Sequence, residues 1–355
     1  KIQPPHLVSI YGAMLAGVDY VVMGAGIPMR IPGVLDAFVH HEPAAYPLTV
    51  MGAAEDDDTT ITFTPRDYME CDLPPLRRPM FLPVVASNVL AMAMVKKANG
   101  RVDGFVIEGP TAGGHNAPPR GKIQLNEAGE PVYGERDAVD LPRMRELGLP
   151  FWLAGGYGRP GQLRHALDQG AAGIQVGTAF AYSVESGMRE DYKQALLEQA
   201  AAGTARVFTD PLASPSGFPF KVVQLEGTVS DPSVYQDRPR ICDLGYLREA
   251  YRTADGSIDF RCAGEPVNLF VSKGGDPADT EGRKCICNAL IATAGYPQAR
   301  AGGKLVEPGI VTSGDDLGQL RRFMPEGGTA YHAADVVRIL LEGLQSTPCD
   351  DSLRS

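Results

Sequence analysis

The 355 residues are 44% apolar and 21% charged, with a formal net charge of −10, a balance that supports a large buried core and excludes a disordered chain. Acidic charge without any Lys/Arg-rich run excludes a nucleic-acid partner, which needs a clustered basic footprint, and points to a small-molecule substrate. No stretch approaches the ~18 uninterrupted apolar residues of a membrane span, and the first residues lack the basic-then-apolar pattern of a signal peptide, so a cytoplasmic protein with no membrane partner is expected, and a homodimer is compatible with it.

In chain order one grammar recurs: an Ala/Leu-rich helix, a small-residue turn, then a short apolar run closed by Gly or Ser, which is βα periodicity. It predicts a helix over 7–16 and a strand over 18–23 that ends at Gly24-Ala25-Gly26. A strand over 81–87 follows, with a helix over 89–98, then strands over 104–109, 151–156 and 173–178. A helix over 160–169 separates the last two. Apolar runs with no polar alternation mark strands buried on both faces, the signature of a parallel sheet covered by helices. The spacing fits consecutive units of a (β/α)₈ barrel or a doubly wound sheet. Closure of a barrel takes eight strands and five are visible, so three βα units are expected to be missing from the front, in keeping with the absent initiator Met.

Two insertions interrupt the grammar. A β-hairpin is predicted near 47–65, with arms at 48–52 and 59–64 joined by Glu55-Asp56-Asp57-Asp58. Residues 116–139 read as a long lid-like loop with a second hairpin at Glu127-Ala128-Gly129-Glu130, and loops of that length after a barrel strand cover active sites. Beyond it a helix is expected over 188–201, then Val207-Phe208-Thr209-Asp210 and a Pro/Gly-rich stretch to Phe220. Residues 224–308 read as irregular with a helix over 283–294, and an amphipathic helix over 333–344 precedes a polar tail. Two units result: 1–222, carrying the βα repeats, and 223–355, an irregular and helical extension packed on it. His40-His41, at the end of a helix, reads as surface.

The sharpest chemical signal is Glu108-Gly109-Pro110-Thr111-Ala112-Gly113-Gly114-His115, directly after a buried strand. Glycines there let backbone N–H groups approach a ligand, and a His near pKa ~6.5 at a strand's C-terminal rim suits a general base. The alternative, that His115 only hydrogen-bonds the glycine turn, stays open. Ala154-Gly155-Gly156 and, about twenty residues on, Gln175-Val176-Gly177-Thr178 end two successive strands and fit a phosphate cradle of free amides, with a hydroxyl from Thr178. Lys221, in Gly217-Phe218-Pro219-Phe220-Lys221, could approach an anionic group, but a solvated surface Lys is the favoured reading. Cys242, Cys262, Cys285 and Cys287 gather in the last third and are read as buried structural thiols. A four-thiolate zinc set is the less favoured reading, because C-x-C is not the usual C-x₂-C knuckle. No metal is expected.

The ordered set Gly24-Ala25-Gly26-Ile27-Pro28, Val84 to Ser87, Glu108 to His115, Ala154 to Gly156 and Gln175 to Thr178 resembles the nitronate monooxygenase (2-nitropropane dioxygenase) family and related flavin enoyl-reductases, over roughly residues 7–222. The resemblance implies an α/β fold, a (β/α)₈ TIM barrel, and an FMN held by Glu108, Gly113, Gly156, Gln175, Val176, Gly177 and Thr178, with Gly114 and Gly155 in the same turns. It implies His115 as the active-site base, and Ser87 and Lys221 are carried as substrate-side candidates. Many relatives have Gln at the position of Glu108 and a shorter segment after the His. The family's first three units, which supply a flavin-contacting segment and an Asn, have no counterpart here, so poor FMN binding is expected. The implied reaction is oxidation of an alkyl nitronate with O₂ as a second small-molecule partner. An enoyl-thioester reductase using NAD(P)H and a non-catalytic barrel scaffold are the competing readings.

Overall fold

The computed structural model describes residues 4–345 apart from 25, 55–58 and 72. Ala25, the acidic turn at 55–58 and the polar tail lie outside the described residues. In chain order, helix α1 (His6–Leu15) leads into β1 (Tyr20–Met23), α2 (Ile31–Val39), the short strands β2 (Ala44–Pro47), β3 (Val50–Met51) and β4 (Thr60–Phe63), and then β5 (Met80–Val85) and α3 (Asn88–Lys97). Next come β6 (Phe105–Glu108), α4 (Leu141–Arg145), β7 (Phe151–Ala154), α5 (Gln162–Asp168), β8 (Gly173–Gln175), α6 (Thr178–Ala181) and α7 (Glu190–Ala202). The last third holds β9 (Val207–Asp210), β10 (Phe220–Val223), α8 (Pro232–Asp237), β11 (Glu249–Arg252), β12 (Ile258–Arg261), α9 (Val267–Ser272), α10 (Ile286–Thr293), β13 (Ala299–Arg300), β14 (Leu305–Val306) and α11 (Ala333–Gln345).

The five strands expected from the βα grammar form one parallel sheet in the order β1-β5-β6-β7-β8. This is the α/β pattern of a (β/α)₈ barrel, and the sheet is not closed. Alternation along the strands separates two faces. Phe81, Val85, Phe105, Ile107, Phe151 and Leu153 join α1 and α2 in the main core, each large side chain contributing about 2–3 kcal/mol by leaving water. Leu82, Val106 and Ala154, with Val84 and Trp152, form a small cluster on the opposite face, the face on which Glu108 also falls by its two-residue step from Val106. At the free edge β1 leaves Tyr20 and Val22 about half exposed. Ser87 starts α3 by accepting the Leu90 N–H at 3.1 Å, a cap that satisfies one of the helix's free donors.

Several expectations are corrected. The insertion hairpin pairs β2 with β4, so its first arm lies four residues earlier than the alternation suggested. Pro43 and Pro47 disguised it, since proline reads as a strand breaker although it is tolerated at a strand end. Residues assigned to that arm instead form β3, which runs parallel to β11 and ties the insertion to the last third of the chain. His41 is 2% exposed, with its ring between the Tyr11 hydroxyl at 2.8 Å and the Pro74 carbonyl at 3.0 Å. Residues 224–308 contain a β11–β12 hairpin that composition did not show.

The boundary expected at 222 falls inside β10, and the chain on either side of it shares a core. Tyr182, Leu196 and Leu197 from α7 and the segment before it pack with Val223, Val311, Leu317, Leu320 and the α11 residues Val336 and Leu340. The Tyr182 hydroxyl is fully buried and meets Ser313 Oγ at 2.9 Å. Tyr182→Phe is expected to lower unfolding stability by about 1–2 kcal/mol, because Ser313 loses a buried partner; denaturant unfolding measures it, and an unchanged midpoint would show the bond is not formed.

Candidate functional site

Three turns and one returning segment converge at the ends of β6, β7 and β8. Gly109 N–H bonds Ala154 O at 3.2 Å and Asp315 N–H bonds Thr111 O at 3.0 Å. Gly114 N–H donates to Thr312 Oγ1 at 2.8 Å and Gly314 N–H to Thr178 Oγ1 at 2.9 Å. The Thr178 hydroxyl thereby accepts from Gly314 and hydrogen-bonds the Asp316 carboxylate. A Cβ on Gly113 would lie 2.8 Å from the Ser313 carbonyl carbon and 2.9 Å from Gly314 N. Gly155 and Gly156 hold φ of +88° and +76°, the left-handed region that favours glycine, and a Cβ on Gly155 would meet Ala112 N at 3.1 Å. The turns therefore pack backbone against backbone because they lack side chains.

They enclose a cavity of about 310 Å³ lined by Glu108, Gly113, Gly114, Gly155, Gly156, Gln175, Val176, Gly177 and Thr178, every cradle residue expected from the sequence. Part of its wall is one the sequence reading missed: Thr312, Ser313, Gly314 and Asp316. The missed signal was Ile310-Val311 closed by Thr312-Ser313-Gly314, the same apolar-run-then-small-residue grammar as the barrel strands. The helix beyond Gly177 has four residues, so its dipole is small and an anion here would rest on amides, hydroxyls and charge. Burial holds the Asp316 carboxyl above its ordinary range, while Thr178, Arg159 and Arg322 pull it down. Burial, with the neighbouring Arg159, disfavours the Arg322 cation, while Asp316 favours it.

Glu108 also borders a second cavity of about 180 Å³, shared with Ser87, Leu90, Arg120 and Tyr133. Burial pushes the Glu108 carboxyl up to about 7, where it titrates at neutral pH. Ser87 lines this space, but its oxygen is occupied by the α3 cap. A third cavity of about 480 Å³ opens beyond Thr111 and Tyr133 toward Lys221. Lys221 is 3% exposed and paired with Asp315 at 2.6 Å, so it is not the solvated surface lysine the sequence favoured. β10 carries it there by running beside the glycine turn, Lys221 N–H to Gly114 O at 2.9 Å.

His115 lies one residue past the same turn and lines none of these three spaces. Its Nε2 meets Ser214 Oγ at 2.7 Å and its ring stands edge-on to Phe220 at 4.8 Å. Burial, the largest cause, lowers it to about 4 from 6.5, so it is neutral at pH 7. The unfolded chain takes up this proton first, so stability is lost as pH falls from about 6.5 toward about 4. His115→Gln is expected to flatten that part of the acid unfolding curve; a curve of unchanged slope would contradict the burial.

The sequence profile of the family described as nitronate monooxygenase matches residues 77–213, the stretch from the start of β5 through the turns just described to the end of β9. That segment is similar to nitronate monooxygenase family sequence. A nitronate monooxygenase of Pseudomonas aeruginosa is 28% identical over 246 residues, 68% of this chain and 65% of the relative. One of Paraburkholderia phytofirmans is 29% identical over 180 residues, 49% of this chain and 45% of the relative. The chain thus spans less than two thirds of the curated relatives it matches. Among solved structures, FabK from Thermotoga maritima aligns over 96% of this chain and 72% of its own, at 18% identity and a TM-score of 0.47. The matched segment contains the turns of β6, β7 and β8 but not the Thr312–Asp316 wall.

Proposed function

We propose that the protein is a flavin-dependent oxidoreductase that oxidises small alkyl nitronates with FMN and O₂. The observation that carries the proposal is Glu108 on the wall common to a backbone-lined cradle and a small, separate pocket. The residues present suit FMN. A Cβ at Gly113 or Gly155 would press on the backbone of the neighbouring turns that wall the cradle, and Thr178 sets a hydroxyl at its wall. Gly113, Gly114, Gly155, Gly156, Gln175, Val176, Gly177 and Thr178 would hold the cofactor. When bound, FMN would accept electrons from the substrate carbon and pass them to O₂, with nitrite leaving that carbon.

The chain's own groups bind, orient and move the proton. When the substrate arrives as the neutral nitroalkane, Glu108 is the group we assign to taking the α-proton that gives the nitronate, because it borders both spaces and titrates at about 7, where a general base is most effective. Arg120 borders the small pocket and offers charge to an anionic nitro group. Residues 116–139 roof the pocket, the Tyr133 hydroxyl donating to Ala117 O at 3.0 Å, and so exclude water. His115, neutral and bonded to Ser214, acts by fixing the glycine turn against β10. The test is O₂ uptake and nitrite release with an alkyl nitronate after reconstitution with FMN. Flavin reduced by NAD(P)H but not by nitronate would replace this reading with the enoyl-reductase one.

A further inference from the structure

The small pocket beside Glu108 and the larger cavity that opens toward Lys221 are neighbours with different linings. The pocket of about 180 Å³ takes apolar surface from Ala86, Leu90, Pro110, Ala117 and Pro118. The cavity of about 480 Å³ carries Asn126, Glu130, Thr209, Lys221 and Asp315 on its wall. Two residues border both spaces, Pro110 and Tyr133. Pro110 belongs to the turn after β6 and has a short ring. Tyr133, from the 116–139 loop, is the larger shared side chain, so most of what divides the two spaces is its phenol.

That ring is held from both arms of the loop. Its hydroxyl donates to Ala117 O at 3.0 Å. On either side of it, Val132 N–H bonds Gln124 O at 2.9 Å and Gly134 N–H bonds Asp137 Oδ2 at 2.8 Å. The loop is tied to the body by Glu130, whose Oε1 accepts the Thr209 N–H of β9 at 2.8 Å. Burial, with Asp137 and Asp315 adding to it, pushes the phenol up to about 12, so it stays neutral and keeps its proton for Ala117.

We propose that Tyr133 is a specificity-determining residue: its ring partitions the apolar pocket from the polar cavity and limits the substrate to a short alkyl group. The proposal rests on the assignment of the small pocket to the nitronate. A chain that outgrows the pocket meets the ring, and beyond the ring lies a wall of hydrogen-bonding groups that an alkyl group would desolvate without pairing. Removing the ring joins the two spaces. A longer substrate then fits, and fits best when its far end carries a hydroxyl to pair with that wall.

The test is a chain-length series on the FMN-reconstituted full chain, with primary alkyl nitronates and their ω-hydroxy counterparts. For the parent, kcat/KM is expected to rise about fourfold per added methylene until the pocket is full and then to fall, with no gain from a terminal hydroxyl. Tyr133→Ala should lose the fall and prefer the long ω-hydroxy substrates over the plain ones by about two- to tenfold. A merely loosened loop would not give that preference. Tyr133→Phe, which keeps the ring, should keep the parent's limit. Alkanoates, planar anions like the nitronates, report the same limit without turnover when their binding is measured by calorimetry at about pH 6, below the value to which burial raises Glu108. An alkanoate limit that Tyr133→Ala removes, in a protein that oxidises no nitronate, would sink the nitronate reading and keep the partition. The same length profile in the parent and Tyr133→Ala would overturn the partition even if nitronates are oxidised, as would a parent without any limit or one that binds no alkanoate.

Discussion

Gly113→Ala is expected to weaken FMN binding about tenfold to a hundredfold. The added methyl would sit 2.8 and 2.9 Å from the Ser313 and Gly314 backbone, and backbone, unlike a flexible side chain, cannot turn aside. Overpacking of this kind costs about 1–3 kcal/mol, and each ~1.4 kcal/mol is a factor of ten in affinity. Relief requires the 312–316 segment to back out of the cradle or the glycine turn to back into it, and either motion displaces the Gly114 and Gly314 amides from their threonine partners. Flavin fluorescence quenching measures the dissociation constant. Gly12→Ala, in α1 with nothing within 4 Å of its Cβ, is the control and should bind as the parent does. Equal affinities for the two variants would show that the cradle does not hold the flavin.

Glu108→Gln should retain FMN but abolish a pH dependence that has opposite signs for the two forms of one substrate. With a neutral nitroalkane the carboxylate must take the α-proton, so kcat/KM should rise with pH through about 7, the value to which burial raises Glu108. With the preformed nitronate no proton is removed, and an anionic Glu108 repels the anionic substrate. Its kcat/KM should therefore fall as pH rises through the same region. The Gln variant should lose nitroalkane turnover by about a hundredfold or more, the usual range of a general base, while nitronate turnover becomes flat with pH. Parallel profiles for both substrate forms would remove Glu108 from proton transfer. His115→Gln should leave these profiles in place, since its imidazole is held on Ser214 and neutral across the range.

The two substitutions probe the part of the site that was legible in the sequence and the part that was not. Strands β5 to β8 were readable because burial on both faces demands unbroken apolar runs, and each run ends on glycines that the packing then uses. Glu108 was visible as a polar residue ending such a run, but not its titration near pH 7, which depends on what the 116–139 loop covers. The wall at Thr312–Asp316 lies nearly two hundred residues from Gly114, and local pattern carries no information about which strand end a distant segment will meet. Lys221 shows the same limit: nothing in its neighbours announces that Asp315 will pair with it and take it out of water. The β2–β4 hairpin was misplaced by four residues because two prolines concealed an alternation that burial of Ala44 and Tyr46 makes plain.

The most direct test of the account is to reconstitute the purified protein with FMN and add an alkyl nitronate under anaerobic conditions while recording the visible spectrum. The account expects a protein-bound flavin spectrum that bleaches on nitronate addition and returns with O₂ as nitrite appears. A flavin that stays free in solution, or one that is bound and bleached by NAD(P)H but not by nitronate, would contradict it.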